Sequence, residues 1–191
     1  MMSRKHRFAL ILVLVLLAIG VGMTKMGWLL YTGGPYRGQL LDAETRQPLE
    51  GAVVLFYWER DVYGGAGGPV AFFLKAKEVL TDKEGRFHIP WFIGTSLNPL
   101  SVVLKPKSIF FYPGYGSEIV EVTPPDGEPF KDPSVVPMRK LRTRKERIRV
   151  VGGLLPGGVP DQAMPNLIRL INVESAALGI SPIRMPPGHE R

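Results

Sequence analysis

The stretch Gly51-Ala-Val-Val-Leu-Phe-Tyr-Trp58 constrains the fold more than any other part of this chain. Side chains alternate between the two faces of a strand, so Val53, Leu55 and Tyr57 point one way and Val54, Phe56 and Trp58 the other. Both sets are apolar. A strand of this kind cannot lie at a solvent-facing surface; it must be covered on both sides. The rest of the chain has to supply two covers.

One cover is a second sheet. Short apolar runs rich in β-branched and aromatic residues recur between turn residues, which is the pattern of an all-β sandwich. Strands are predicted at Tyr36 to Leu41, Val70 to Thr81, Arg86 to Ile89, Ser101 to Leu104, Ser108 to Tyr112, Glu118 to Val122 and Ser134 to Met138. Asp82-Lys-Glu-Gly85 reads as a tight turn with Gly85 at positive φ. The other cover is a helix over Asn166 to Leu178, whose Leu167, Ile168, Ile171 and Leu178 share a side, with Met164 just before it. Gly179 stops it, Pro182 follows, and Pro182 to Arg191 reads as a frayed end. Between them, Arg139, Lys140, Arg142, Arg144, Lys145, Arg147 and Arg149 form a basic run. From Thr143 onward this run fits a short helix with Thr143 as its cap and Ile148 and Val151 packed down.

The N-terminus differs in kind. Arg4-Lys-His-Arg7 precedes an apolar run from Phe8 to Met23, which Lys25 interrupts and Met26 to Tyr31 resumes. At about 1.5 Å per residue, Phe8 to Tyr31 makes about 36 Å of helix, enough to span a bilayer. Trp28 and Tyr31 suit an interfacial belt, and the preceding positive charges keep the N-terminus in the cytoplasm. The alternative is a secreted chain whose signal is cleaved at small-x-small sites near Gly20. The expected organisation is therefore a signal-anchor or signal peptide over 1–31, a linker over 32–35, a sandwich over 36–138, and a basic segment, Gly/Pro loop and helix over 139–191.

Gly38-Gln-Leu-Leu-Asp42-Ala-Glu-Thr45-Arg46-Gln-Pro48-Leu49-Glu-Gly51-Ala52-Val-Val54 resembles the opening of carboxypeptidase regulatory-like domains. Thr81-Asp82-Lys-Glu-Gly85-Arg-Phe87 resembles their second signature, and Tyr112-Pro-Gly114-Tyr115 is similar to a later Gly-Tyr element. The resemblance covers about Tyr36 to Met138 and implies a seven-stranded, transthyretin-like (Ig-like) sandwich. Arg46 stands where the family usually has Gly. Since Arg resists a left-handed backbone, that turn is expected to be built differently here.

Chemistry-bearing residues are sparse. There is no cysteine, and the three histidines are His6, in the targeting segment, His88, expected to face solvent from a strand, and His189, in the tail. No nucleophile motif accompanies them. The closest acidic pairs, Asp82/Glu84, Glu118/Glu121 and Asp126/Glu128, read as solvated turn residues. Although the peptidase name attaches to the family, the resemblance implies no catalytic domain, so no catalytic residue, metal or cofactor is expected. The formal net charge is +7, concentrated in the targeting segment and the basic run. Nucleic acid is an unsuitable partner for an exported domain whose basic run carries no interleaved aromatics.

The expected function is a non-catalytic, extracytoplasmic, membrane-anchored interaction module. Its membrane contact is the N-terminal helix, and its partner is an envelope protein or a glycan. The alternative is a structural subunit or spacer of a cell-envelope assembly, with a carbohydrate-binding module behind both. Trp58, Trp91, Phe92 and Tyr115 are the candidate ligand contacts, and Arg142, Arg144, Lys145 and Arg147 the candidate contacts to anionic lipid.

Overall fold

The computed structural model describes residues 10–15, 30–63, 68–98, 101–116, 118–121 (as backbone) and 134–183. The basic N-terminal residues, most of the apolar run, the small-x-small sites, Lys25 and Trp28 lie outside them, as do the Asp126/Glu128 pair and His189. Among the described residues no helix is long and apolar enough to cross a membrane; residues 10–15 are helical.

The chain is mostly β. Among the described residues ten strands form: β1 Leu30–Gly33, β2 Tyr36–Asp42, β3 Val53–Tyr63, β4 Pro69–Leu80, β5 Arg86–Ile89, β6 Phe92–Thr95, β7 Ser101–Val103, β8 Lys107–Phe111, β9 Glu118–Glu121 and β10 Ser134–Met138. Two helices follow, α1 Arg144–Gly153 and α2 Pro165–Leu178, with a 3-10 turn at Asp161–Ala163 between them. Two short strands, β1 and β6, are ones that the residue pattern did not predict, while β7 matches the strand expected at Ser101 to Leu104.

β3 is central. It pairs antiparallel with β4 on one edge and with β8 and then β7 on the other, and β8 carries β9. A second sheet runs β10-β2-β5, with β10 parallel to β2 and β5 antiparallel to it. Val54, Phe56, Trp58 and Phe110 pack between the sheets against Leu40, Phe87, Ile89, Val136 and Met138. On the opposite face Val53, Leu55, Tyr57, Ile109 and Phe111 meet Leu154, Met164, Leu167, Ile168 and Ile171. The doubly apolar strand thus has the two covers its sequence demands, a sheet and a helix.

Three charge-assisted contacts hold α2 in place. Its first turn has no side-chain cap of its own. Glu78 of β4 supplies one, accepting from the backbone N–H of Asn166 (2.8 Å) and Leu167 (2.6 Å) where the helix dipole favours an anion. Arg147 of α1 donates to Glu174 from Nε (2.6 Å) and Nη2 (2.8 Å). Arg144 donates to the carbonyl of Leu178 at 2.7 Å, at the helix's C-terminal end. Thr143 caps α1 in a reciprocal box with Glu146, and Gly179 ends α2 at φ 65°. Of the end expected to fray from Pro182, Ile183 is tied down: its N–H donates to Asn172 Oδ1 at 2.7 Å, and Asn172 Nδ2 donates back to its carbonyl; residues 184–191 lie outside the described residues.

The boundary expected at residue 31 moves. Tyr31 and Thr32-Gly33, read as the end of a span and the start of a linker, are strand β1, paired antiparallel with β6. Tyr31 is only 9% exposed. Its ring meets Phe92 edge-on at 6.1 Å, and Phe92 meets Trp58 at 4.8 Å. A Cβ at Gly94 would overlap the Tyr31 ring, and one at Gly33 would overlap Phe92 and Trp58. Those glycines let the ribbon lie flat over Trp58 instead of making it flexible. The stretch just after Trp91 is strand β6, Phe92–Thr95.

Candidate functional site

The three motif stretches meet in one corner, where the fold uses their side chains. The Thr81 hydroxyl donates to the Leu49 carbonyl (2.5 Å) and accepts from Ala52 N–H (2.9 Å). Gly85, at φ 70°, closes the Asp82 turn, and its carbonyl accepts from Leu40 N–H. Asp42 Oδ1 accepts from the N–H groups of Glu44 and Thr45, both at 2.8 Å, and Oδ2 from the Tyr115 hydroxyl at 2.7 Å. These donors, Thr45 first and Tyr115 next, hold the Asp42 carboxyl down at about 2. Burial, and then the hydrogen bond to Asp42, push the Tyr115 phenol up to about 12. Tyr115 therefore serves as a strut between motifs.

Arg46 corrects the expectation about its turn. It does take the left-handed backbone, at φ 61°. Asp42 fixes the turn from both ends: its side chain holds Glu44 and Thr45, and its backbone pairs with Arg46 and Gln47. The loop over-determines the conformation, and the Arg side chain accepts the cost.

The aromatic candidates separate. Trp58 is 1% exposed and lies in the core, so it cannot stack on a ligand. Its Nε1 has no acceptor among the described residues. Phe92 is half-buried between Trp58, Tyr31 and the Lys75 ammonium, which sits 4.3 Å from its ring centre. Trp91 is 55% exposed. The structure does not bring the four together as a platform.

The basic candidates separate too. Besides the Arg144 and Arg147 contacts to α2, Arg142 pairs with Glu44 at 2.7 Å and Arg139 with Glu146 at 3.5 Å. Lys145 is exposed. Most of the run's charge is thus directed at groups of the same chain.

His88 and Asp82, together with residues the sequence did not connect to them, line a hollow of about 770 Å³ on the outward side of the β10-β2-β5 sheet. Arg37 and Gln39 of β2, Arg86 and His88 of β5 and Val135 of β10 face it, with Asp82 and the end of β4 at its rim. Arg86 is bound to Asp82 (3.3 Å) and Glu84 (3.0 Å). His88 is exposed, as its alternation with Phe87 and Ile89 predicts. A basic, amide-bearing surface of this kind can hold a carboxylate or the polar side of a partner. Its residues are ordinary surface positions on three strands, one joined in parallel from far along the chain, so only the fold reveals their proximity.

No group of three or more Asp, Glu or His side chains among the described residues could hold a metal ion. No protein-family model matches the chain, and no curated protein does. A solved structure, a 9R-lipoxygenase from Cyanothece PCC8801, is similar over 53% of this chain and 12% of its own, with 18% identity and a TM-score of 0.25. A likeness that slight carries no argument about fold or activity.

Proposed function

We propose that this chain is a non-catalytic interaction module, held at the outer side of a membrane by its N-terminal apolar segment, that binds a partner through the outward face of the β10-β2-β5 sheet. The observation that carries the reading is how the fold uses its charges. The three carboxylates buried among the described residues each have a partner inside the fold: Asp42 with Tyr115, Glu59 with Lys107 at 2.8 Å, and Glu174 with Arg147. Polar side chains converge toward solvent at the hollow. The resemblance to carboxypeptidase regulatory-like domains supports a transthyretin-like sandwich of the accessory kind, since the corner where the motifs meet is turn chemistry. The positive charges before Phe8 support export of everything after the apolar segment.

The test has two arms. The full chain, expressed in cells, is expected to stay with membranes through alkaline extraction and to be cut by protease added from outside. A photo-crosslinker placed at His88 or Gln39 is expected to give a discrete adduct, and one at Val173, exposed on α2, none. Release by alkali would refute the anchor. Adducts at neither hollow position would favour the alternative, a structural spacer of an envelope assembly.

A further inference from the structure

Exposed apolar side chains gather at the end of the molecule where the described domain begins. β3 and β4 continue past the second sheet as a hairpin, and Tyr63, Val70 and Phe72 near its tip are 54%, 56% and 48% exposed. The loop after β6 lies against this hairpin, because Arg60 of β3 donates to the Ser96 carbonyl at 2.7 Å. The next residue, Leu97, is 71% exposed and sits at φ 50°. A branched side chain in left-handed backbone, mostly presented to water, is costly twice over. It is held there by Ser101, whose hydroxyl donates to Asn98 O at 2.7 Å and lies 3.2 Å from that of Ser96. Leu30, paired with Thr95 at the start of β1, adds another exposed apolar side chain at the same end, at 43%.

From this we infer that the apolar end formed by Leu30, Tyr63, Val70, Phe72 and Leu97 inserts into the interfacial layer of a lipid bilayer. The inference rests on the anchor reading above and adds to it a fixed pose of the domain. The position of the chain's entry identifies the occupant. The sequence before Leu30 holds the apolar run Phe8 to Met23, and β1 is hydrogen-bonded from Leu30 itself. A bilayer holding that run therefore lies beside these residues. Leu10 to Val15, the described part of the run, are each 48–60% exposed, so the domain leaves these six side chains uncovered. An apolar patch with Tyr at its edge is what a headgroup-level contact needs.

The natural absence of cysteine makes the test direct. Full chains carrying Val70→Cys, Leu97→Cys or Val173→Cys are labelled with an environment-sensitive fluorophore and reconstituted into phosphatidylcholine–phosphatidylglycerol vesicles. At 70 and 97 the emission is expected to shift to the blue, to be quenched by nitroxide-bearing lipid and to be protected from aqueous iodide. At 173 it is expected to stay red-shifted and open to iodide. Labels at 70 and 97 that iodide reaches as readily as at 173, in chains that float with vesicles, would overturn the inference while leaving the anchor intact. Labels shielded from both quenchers would also overturn it, since protein then covers the patch. Chains that do not float would refute the anchor and this inference together. Val70 lies in a strand and Leu97 in a loop, so a fold disturbed by one label, seen in its melting curve, leaves the other position to decide.

Discussion

Cutting Arg147 back to Ala should destabilise the domain by about 3–5 kcal/mol. Glu174 of α2 is buried, with its side chain 2% exposed, where the helix meets α1. Arg147 reaches it with a two-pronged contact of 2.6 and 2.8 Å. The pair as a whole adds little net stability, because desolvating both charges offsets most of their attraction. Removing only the cation is different. The carboxylate stays out of water with no compensating charge, and a buried pair broken this way typically loses about 3–5 kcal/mol. A domain of this size has about 5–15 kcal/mol in total. At about 2–4 °C per kcal/mol, the melting temperature should fall by about 6–20 °C.

The same reasoning orders two further variants. Glu174→Ala removes the buried charge and leaves Arg147, 29% exposed, able to turn toward water, so it should cost less. The double replacement Arg147→Met with Glu174→Leu removes both charges and keeps the volume, and should lie close to the parent. Thermal and urea unfolding followed by circular dichroism would read all three. A melting temperature for Arg147→Ala within about 2 °C of the parent would refute the argument, as would a double variant as unstable as the single one.

Arg46→Gly should stabilise the domain by about 1 kcal/mol, since the left-handed backbone at φ 61° costs a side chain about 1–2 kcal/mol and Gly loses part of that gain to its freer unfolded chain; an unchanged or lower urea midpoint would count against the turn geometry. A chain beginning at Gly34 should be less stable than one beginning at Leu30 by about 3 kcal/mol or more, because it loses the buried Tyr31. Its tryptophan emission should shift to the red as Trp58 is uncovered, and equal melting curves for the two fragments would return β1 to a linker. For pH, Asp42 is held at about 2 in the fold, below its usual range, so its contribution is complete above about pH 4 and is lost as pH falls toward 2. The stability gap between the parent and Asp42→Asn should narrow over that window, and a gap independent of pH would show that the carboxylate is not hydrogen-bonded as described.

Strongly periodic parts of the fold were legible in the sequence. The two apolar faces of β3 imply two covers, and the spacing of Leu167, Ile168, Ile171 and Leu178 identifies one of them. Thr143 and Gly179 mark helix ends through local hydrogen bonding, which needs no tertiary information. β1 was obscured because Tyr31 ends an apolar run, and a buried strand continuing such a run has no signature of its own. The use of the basic run was not legible either. Arg147 and Arg144 find partners 27 and 34 residues away, and Arg142 one 98 residues away. In the sequence these cations resemble a solvated or lipid-facing patch, and only the docking of α1 beside α2 shows where they point. The hollow was hidden for the same reason, since Val135 reaches Gln39 only through the parallel pairing of β10 with β2.

The pairing of β1 has a consequence for orientation. A flexible spacer before the first strand would let the sandwich tumble beneath its anchor, and an apolar tip would then be exposed to every collision. Pairing from Leu30 onward fixes the first residue of β1 opposite Thr95, so Tyr31 to Gly33 do not form such a spacer. Under the anchored reading, the exposed Tyr63, Phe72 and Leu97 would face the bilayer from the end of the domain at which β1 begins. The hollow belongs to a different surface, the outward side of the second sheet, and remains open to a partner while the tip is occupied. Removing β1 should therefore do more than destabilise the core: it should also uncouple the end that meets the membrane from the segment that holds the chain there.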